Sequence, residues 1–298
     1  MIFPVSGCEL PLWLPPLVTF VIGAVCASAG VSGAFLLLPF QMSVLGFTTP
    51  AVTPTNLLYN VFGIPGGVAR YLREGRLDWT LAGLLALGLV PGAFLGMLLR
   101  VRVLSDPGRF KLFVAAVLLL LVARLVATLR GGAAGADGAD RMPEGARVAG
   151  VSRSWRRIVA RLGPLEYAYP PVAIVGLALL IGTVGGAYGI GGGALMAPVM
   201  ISVFRLPVHA TAGANLAGTF LASLAGALFY AWCGPRLAGP GTAVSPDWLL
   251  GSLFGLGGLF GMYLGASWQR FLPARLIKLV LTALLLFLAA KYLFEVLA

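Results

Sequence analysis

The longest uncharged stretch of the chain limits its fold more than any other feature. Between Leu10 and Ala69 there is no Asp, Glu, Lys, Arg or His. A soluble domain, in which roughly a quarter of the residues are charged, does not bury such a stretch without a charged face, whereas a bilayer supplies an apolar solvent for it. Charged residues make up only 10% of the whole chain, so the sequence predicts a membrane protein.

Apolar segments follow one another along the chain, five on each side of a polar region. Their length and composition predict an all-α polytopic membrane protein, because helices satisfy their own backbone hydrogen bonds in lipid. The second segment of each half is shorter than the ~20 residues that a crossing requires, which predicts discontinuous or re-entrant helices. The segments are 12–29, 34–47, 51–69, 80–99, 110–129, 170–188, 194–204, 209–232, 248–269 and 276–296.

The polar region divides the chain into a first transmembrane repeat at 1–129, an Arg-rich linker at 130–169 and a second repeat at 170–298. The linker opens with a glycine-rich run at 131–138, which is typical of a flexible connection. Arginine-rich short loops stay in the cytoplasm, so the N-terminus is expected outside. The net charge of +11 is explained by such loops, since no basic stripe with aromatic partners indicates nucleic-acid binding. The linker arginines are Arg141, Arg147, Arg153, Arg156, Arg157 and Arg161.

The two halves resemble each other residue by residue. Asn56 recurs as Asn215, and Pro39 recurs as Pro198, 159 positions later in both cases. Because five crossings are an odd number, the second half is expected to be inverted relative to the first. Inverted repeats are typical of secondary transporters, whose substrate site lies near the bilayer midplane. Further matched pairs are Gly23 and Gly182, Gly30 and Gly189, Gly33 and Gly192, and, after an insertion, Asp78-Trp79 and Asp247-Trp248.

Glycine clusters at 29–34 and 185–193 interrupt an apolar span in each half. Each glycine costs a helix roughly 1 kcal/mol relative to alanine, so a cluster ends the helix. The helix that restarts presents free N–H groups and a positive dipole end, which hold an anion without a buried Lys or Arg. Close helix packing is the alternative reason for the glycines. The residues predicted to bind substrate here are Gly30, Ser32, Gly33, Gly189, Gly191, Gly192 and Gly193.

Polar residues follow each break, at 48–56 and 209–215. A primary amide in hydrocarbon is costly unless it is paired, so Asn56 and Asn215 are expected to face the protein interior. Two roles stay open: the amides hold the broken helices together, or their donors line the path of an anion. In the second role, hydroxyl groups contribute as well, and the role of His209 is left open. The candidate hydroxyl residues are Ser32, Thr53, Thr55 and Thr211.

Glycines also recur at every fourth position on the fourth segment of each half. This pattern predicts close packing of membrane helices rather than a binding site. The glycines are Gly88, Gly92, Gly96, Gly257, Gly261 and Gly265.

The chain lacks the residues that most enzymes and coupled carriers use. It has one histidine, and its three cysteines have no metal-ligand spacing, so neither an enzyme, a metal site nor a cofactor is predicted. Carboxylates are nearly absent from the apolar segments, where proton- and sodium-coupled carriers generally place them. An inside-negative membrane drives anions outward, so export on membrane potential alone is expected.

The glycine breaks followed by proline, the Thr/Pro-rich entry to Asn56 and the run at 212–215 resemble the TauE/SafE family of sulfite and organosulfonate exporters. The resemblance covers nearly the whole chain except the linker. It implies a multi-pass permease of the bacterial inner membrane that exports sulfite, sulfoacetate or a related anion. An anion channel, or a permease for another small solute, is the alternative, and a homo-oligomer is left open. The site residues that the resemblance implies are Gly30, Ser32, Gly33, Asn56, Gly189, Gly191, Gly192 and Asn215.

Overall fold

The computed structural model describes residues 1–28, 32–130, 148–163, 165–206, 208–268 and 274–297. It is mostly helical, at 71% helix, and each predicted apolar segment forms a helix. The helices are α1 (Leu14–Ser28), α2 (Ala34–Ser43), α3 (Val52–Gly63), α4 (Pro65–Arg73), α5 (Trp79–Arg102), α6 (Pro107–Arg130), α7 (Pro171–Tyr188), α8 (Gly193–Ser202), α9 (Val208–Trp232), α10 (Gly234–Leu237), α11 (Trp248–Trp268) and α12 (Ala274–Leu297).

The third predicted segment, at 51–69, is divided between α3 and α4. Ile64 donates its N–H to the carbonyl of Asn60 and closes α3. Pro65 then begins α4, because proline has no N–H to give to a preceding turn but suits the first turn of a new helix.

By length and composition, three helices among the described residues are able to cross a membrane: Trp79–Arg102, Pro171–Tyr188 and Thr211–Trp232. The 24 residues of α5 rise about 36 Å, which exceeds the ~30 Å of a hydrocarbon core. By contrast, α2 and α8 have 10 residues each and rise about 15 Å. Neither short helix crosses a bilayer by itself.

The two halves of the chain pack against each other reciprocally. Helix α1 lies on α11 and α5 lies on α7, while α3 contacts α11 as α9 contacts α5. Helix α3 also contacts α9, and α6 contacts α12. Exchanging each of these helices for its counterpart in the other half leaves these six contacts unchanged.

The predicted close packing of the glycine stripes is confirmed where the stripes are described. A Cβ atom on Gly92 of α5 would lie 2.8 Å from the Cα atom of Gly182 on α7, and one on Gly186 would lie 2.6 Å from the Cα atom of Ala93. Gly257 and Gly261 of α11 are pressed against the backbone of α1 in the same way. These contacts bring helix backbones together, as small residues do in membranes.

The second part of the linker, which was expected to be only a connection, forms a three-stranded antiparallel sheet. The run at 131–138 that predicts flexibility lies outside the described residues, but β1 (Val148–Arg153), β2 (Ile158–Leu162) and β3 (Leu165–Tyr169) pair in the order β1-β2-β3. Alternate residues Ile158, Ala160 and Leu162 are buried. That alternation is typical of a half-buried strand, and the all-α prediction missed it.

Asp78 attaches this sheet to the start of α5. Its Oδ1 atom accepts the N–H of Leu81 at 2.9 Å and caps the helix, while Oδ2 accepts the hydroxyls of Tyr167 at 2.9 Å and Tyr169 at 3.1 Å. Burial and the charge of Asp78 raise the pKa of Tyr167. Its hydroxyl therefore stays protonated and donating at physiological pH.

Asp247, the counterpart of Asp78, holds the N-terminal residues instead. Its Oδ1 atom accepts the N–H of Leu250 at 3.1 Å at the start of α11. Its Oδ2 atom accepts the N–H groups of Val5 at 3.3 Å and Ser6 at 3.1 Å. Equivalent helix caps thus anchor different segments in the two halves.

Replacing Gly92 by leucine is expected to prevent α5 from packing on α7, because backbone atoms of Gly182 occupy the space of any side chain. Overpacking costs typically about 1–3 kcal/mol. Gly83→Leu on the same helix is the matched control, since nothing lies within 4 Å of its added Cβ. Size-exclusion chromatography in detergent should give a single peak for Gly83→Leu and aggregate for Gly92→Leu; two equally monodisperse and heat-stable proteins would contradict the assignment.

Candidate functional site

The second glycine cluster breaks the chain between α7 and α8. Gly189, Gly191 and Gly192 have φ angles of 98°, 68° and 89°. Only glycine adopts this left-handed region without a steric cost of roughly 1–2 kcal/mol. The predicted interruption of the span is therefore confirmed, and α8 restarts at Gly193 with no side chain capping its first turn.

The first break is described only in part. Gly30 lies outside the described residues, while Ser32 and Gly33 lead into α2. Gly33 has an ordinary helical φ of −71° and no side-chain cap, and a Cβ atom there would lie 2.6 Å from the hydroxyl oxygen of Tyr59. The Ser32 hydroxyl accepts the N–H of Ala34 at 3.4 Å. At Gly33, therefore, glycine is needed for space and not for a left-handed turn.

Neighbouring helices press closely on the second break. A Cβ atom on Gly189 would lie 2.7 Å from the carbonyl oxygen of Thr53, and one on Gly191 or Gly193 would clash with Ser223 or Thr219 of α9. Both reasons considered for these glycines therefore apply at once: they turn the backbone and they admit close packing.

Asn56 is fully buried and joins the breaks of the two halves. Its Nδ2 atom donates to the carbonyl of Ala34 at 2.9 Å and to that of Gly189 at 3.0 Å. Its Oδ1 atom accepts a hydrogen bond from Gln41 at 3.0 Å. Both amide hydrogens are thus used on backbone carbonyls, and this geometry corresponds to the helix-holding role; no donor of Asn56 remains for a ligand in this conformation.

Asn215 makes the equivalent bond in the second half. Its Nδ2 atom donates to the carbonyl of Gly193 at 3.1 Å, at the start of α8, just as Asn56 bonds Ala34 at the start of α2. Its Oδ1 atom is buried, and no described residue forms a hydrogen bond with it. The two amides therefore hold the first residue of each short helix.

The predicted threonines are buried but play different parts. Thr53 donates to the carbonyl of Ala187 at 3.2 Å, near the end of α7. Thr55 donates to the carbonyl of Ala51 at 2.7 Å and accepts the N–H of Asp247 at 2.9 Å, so it connects α3 to α11. Thr211 is buried in α9, and the side chain of His209 lies outside the described residues.

Asn60 is a polar residue at the breaks that the sequence prediction missed. It is fully buried, and its Nδ2 atom donates to the carbonyl of Ile190 at 3.1 Å and to the hydroxyl of Ser223 at 3.2 Å. Its Oδ1 atom lies 3.5 Å from the Ser32 hydroxyl. The signal was its position four residues after Asn56, which places both amides on one face of α3.

Arg100 is the other residue that the sequence prediction missed, and its burial is unusual for a charged side chain. Its side chain is fully buried, although the predicted segment at 80–99 ends one residue before it. Its Nε atom donates to the Thr53 hydroxyl at 3.2 Å, another nitrogen bonds the carbonyl of Leu104, and the guanidinium lies 3.6 Å from the centre of the Phe110 ring. Its Nη2 atom is buried without a hydrogen-bond partner among the described residues.

The charge of Arg100 is not balanced by a carboxylate among the described residues. The buried carboxylates there are Asp78 and Asp247, and both are engaged at helix N-termini. Thr53 accepts from Arg100 and donates to Ala187, two residues before Gly189. One hydroxyl thus separates the buried cation from the end of α7. No cluster of three potential metal ligands occurs in the part of the chain that the structure describes.

Comparison with known proteins identifies the family of the chain. The family model described as "Sulfite exporter TauE/SafE" matches residues 16–292. The chain belongs to the TauE/SafE family. A relative from Bacillus subtilis (strain 168), "Probable membrane transporter protein YunE", is 23% identical over 282 residues and covers 92% of this chain and 94% of its own length.

A second relative has the same kind of name. "Probable membrane transporter protein YjnA", also from Bacillus subtilis (strain 168), is 24% identical over 269 residues and covers 89% of this chain and 93% of its own length. No solved structure matches. The TauE/SafE family and the names of these relatives support a membrane transporter rather than an enzyme.

Replacing Gly189 by alanine is expected to lower the thermal unfolding temperature. Its φ of 98° is strained for alanine, and the added Cβ would meet the carbonyl of Thr53 at 2.7 Å. The strain alone is worth about 1–2 kcal/mol. Gly176→Ala is the control, because this helical position in α7 is open and alanine there gains about 0.5–1 kcal/mol. Equal unfolding temperatures for the two variants would show that Gly189 is not needed for the break.

Proposed function

We propose that the protein exports a small sulfur-containing anion, such as sulfite, sulfoacetate or a related sulfonate, across the bacterial inner membrane. Membership of the TauE/SafE family supports transport, and the family description supports the sulfur anion. The observation that supports a negatively charged substrate is the burial of Arg100.

A buried guanidinium without a carboxylate is costly, because the interior does not replace the hydration of its charge. The Phe110 ring and the Leu104 carbonyl compensate Arg100 only partly, and Nη2 has no acceptor in the part of the chain that the structure describes. An anion that bound beside it would supply both the missing acceptor and the balancing charge. The same position repels a cation and offers a neutral solute no comparable gain.

The uncapped start of α8 is the second source of positive potential. Its N-cap is Gly192, whose lack of a side chain leaves the first N–H groups without a side-chain cap. Helix N-termini carry roughly half a positive charge and bind anions through these groups. In this proposal Arg100 and the start of α8 attract the anion, while Asn56 and Asn215 fix the backbone around it.

We further propose that 1–129 and 170–298 are inverted repeats, with discontinuous helices at α2 and α8 and with 130–169 in the cytoplasm. Support comes from the reciprocal neighbours of the two halves and from the equivalent bonds of Asn56 and Asn215. Transporters of this type move one repeat against the other around a central site.

Full burial of the polar groups at the breaks favours a transporter over a permanently open channel. Thr53, Asn56, Asn60 and Arg100 are all inaccessible to solvent. An ion therefore reaches them only when helices separate, as in alternating access.

The test is flux of sulfoacetate and sulfite from proteoliposomes that contain Arg100→Gln. This variant removes the charge and keeps hydrogen-bonding groups, so kcat/KM should fall at least tenfold, which corresponds to about 1.4 kcal/mol. Arg100→Lys keeps the charge and should retain more of the flux. Arg102→Gln is the matched control, because it removes an exposed charge from the same helix.

Thermal unfolding of each variant separates a transport defect from a folding defect. The proposal requires that flux fall in a variant whose unfolding temperature stays near that of the wild type. A folded Arg100→Gln protein with the flux of Arg102→Gln would refute the role of Arg100.

A further inference from the structure

An apolar groove lies outside the helix breaks, where the sheet meets the starts of α5 and α7. Its volume is about 660 Å³, within the roughly 300–1,000 Å³ range of small-molecule sites. Leu84 and Leu87 of α5 form one wall, and Val172 and Val175 of α7 form the other. Leu87 and Val172 are 63% and 64% exposed, as lipid-facing residues of spanning helices are when the bilayer is removed.

The tip of the β1–β2 hairpin stands over one end of this groove. The N–H of Ser154 donates to the carbonyl of Arg157 at 3.1 Å and closes the loop, which leaves Trp155 86% exposed beside the groove. An exposed tryptophan next to a spanning helix is typical of the membrane–water interface, where its apolar ring and its N–H are both accommodated.

Two arginines follow this tryptophan at the tip of the hairpin. Arg156 and Arg157 are exposed, and neither forms an ion pair with another described residue. Arg161, by contrast, is neutralised by Glu166 at 2.7 Å. Apart from Ser154, the residues that line the groove are apolar, and none is acidic.

We propose that this groove binds an anionic phospholipid, with one acyl chain between α5 and α7 and the phosphate at Arg156 and Arg157. The groove lies near the starts of two spanning helices, since Leu84 is in the second turn of α5 and Val172 is in the first turn of α7. This level is the depth at which acyl chains meet headgroups. Basic side chains at that depth attract anionic headgroups. The charges of Arg156 and Arg157 therefore favour an anionic lipid over an uncharged apolar ligand.

The experiment is native mass spectrometry of the purified full chain with phosphatidylglycerol and with phosphatidylcholine of the same acyl chains. The wild type should retain phosphatidylglycerol preferentially. Arg156→Gln/Arg157→Gln should bind phosphatidylglycerol about tenfold more weakly and lose the preference. The matched control is Arg102→Gln/Arg109→Gln, which removes two exposed charges at the opposite end of α5 and should keep it.

Quenching of tryptophan fluorescence by brominated phosphatidylglycerol tests the groove itself. Because the chain has six tryptophans, the signal of Trp155 is the difference between wild type and Trp155→Phe. Quenching of that signal is expected. The proposal would be overturned if the wild type retained the two lipids equally, or if the double glutamine variant bound phosphatidylglycerol as well as the wild type. It would also be overturned if the protein were a dimer that Trp155→Ser converts to a monomer without altering lipid selectivity.

Discussion

A bilayer offers no water to a broken helix, so every break within the apolar layer requires partners from the protein. An unsatisfied backbone group in hydrocarbon costs several kcal/mol, and two buried asparagines meet this requirement. Asn56 bonds the carbonyls of Ala34 and Gly189, and Asn215 bonds that of Gly193. Because Asn56 contacts the break of its own half and that of the other, the same amide holds the start of α2 and joins it to the end of α7.

The distribution of charge around these breaks has a single sign. The buried carboxylates of the described residues, Asp78 and Asp247, cap helices and anchor the sheet and the N-terminal segment. Arg100 lies at the other end of α5 from Asp78, beside Thr53. A buried charge of one sign in low-dielectric surroundings attracts ions of the opposite sign, which supports the proposal of an anionic substrate.

The sequence alone predicted the helices, the glycine breaks and the burial of the two asparagines. These features depend on the length of apolar segments and on residue type. The hydrogen-bond partners of the asparagines could not be predicted. The Gly189 carbonyl lies 133 positions from Asn56 in the sequence, and only the fold brings the two together. The predicted segment at 80–99 excluded both Arg100 and Arg102, because sequence alone does not reveal that Thr53 and Phe110 enclose Arg100 while Arg102 is exposed. The sheet was not predicted, because the glycine-rich run at the start of the linker indicated a flexible connection for the whole linker.

The most direct test of anion export is the response of flux to an imposed membrane potential. Proteoliposomes loaded with sulfoacetate and potassium, with valinomycin added, set the potential through the potassium gradient. An inside-negative potential is worth ~2.3 kcal/mol per charge per 100 mV, so it should accelerate sulfoacetate efflux, and reversing the potential should slow it. Efflux that does not change with potential would contradict the movement of net negative charge through the protein.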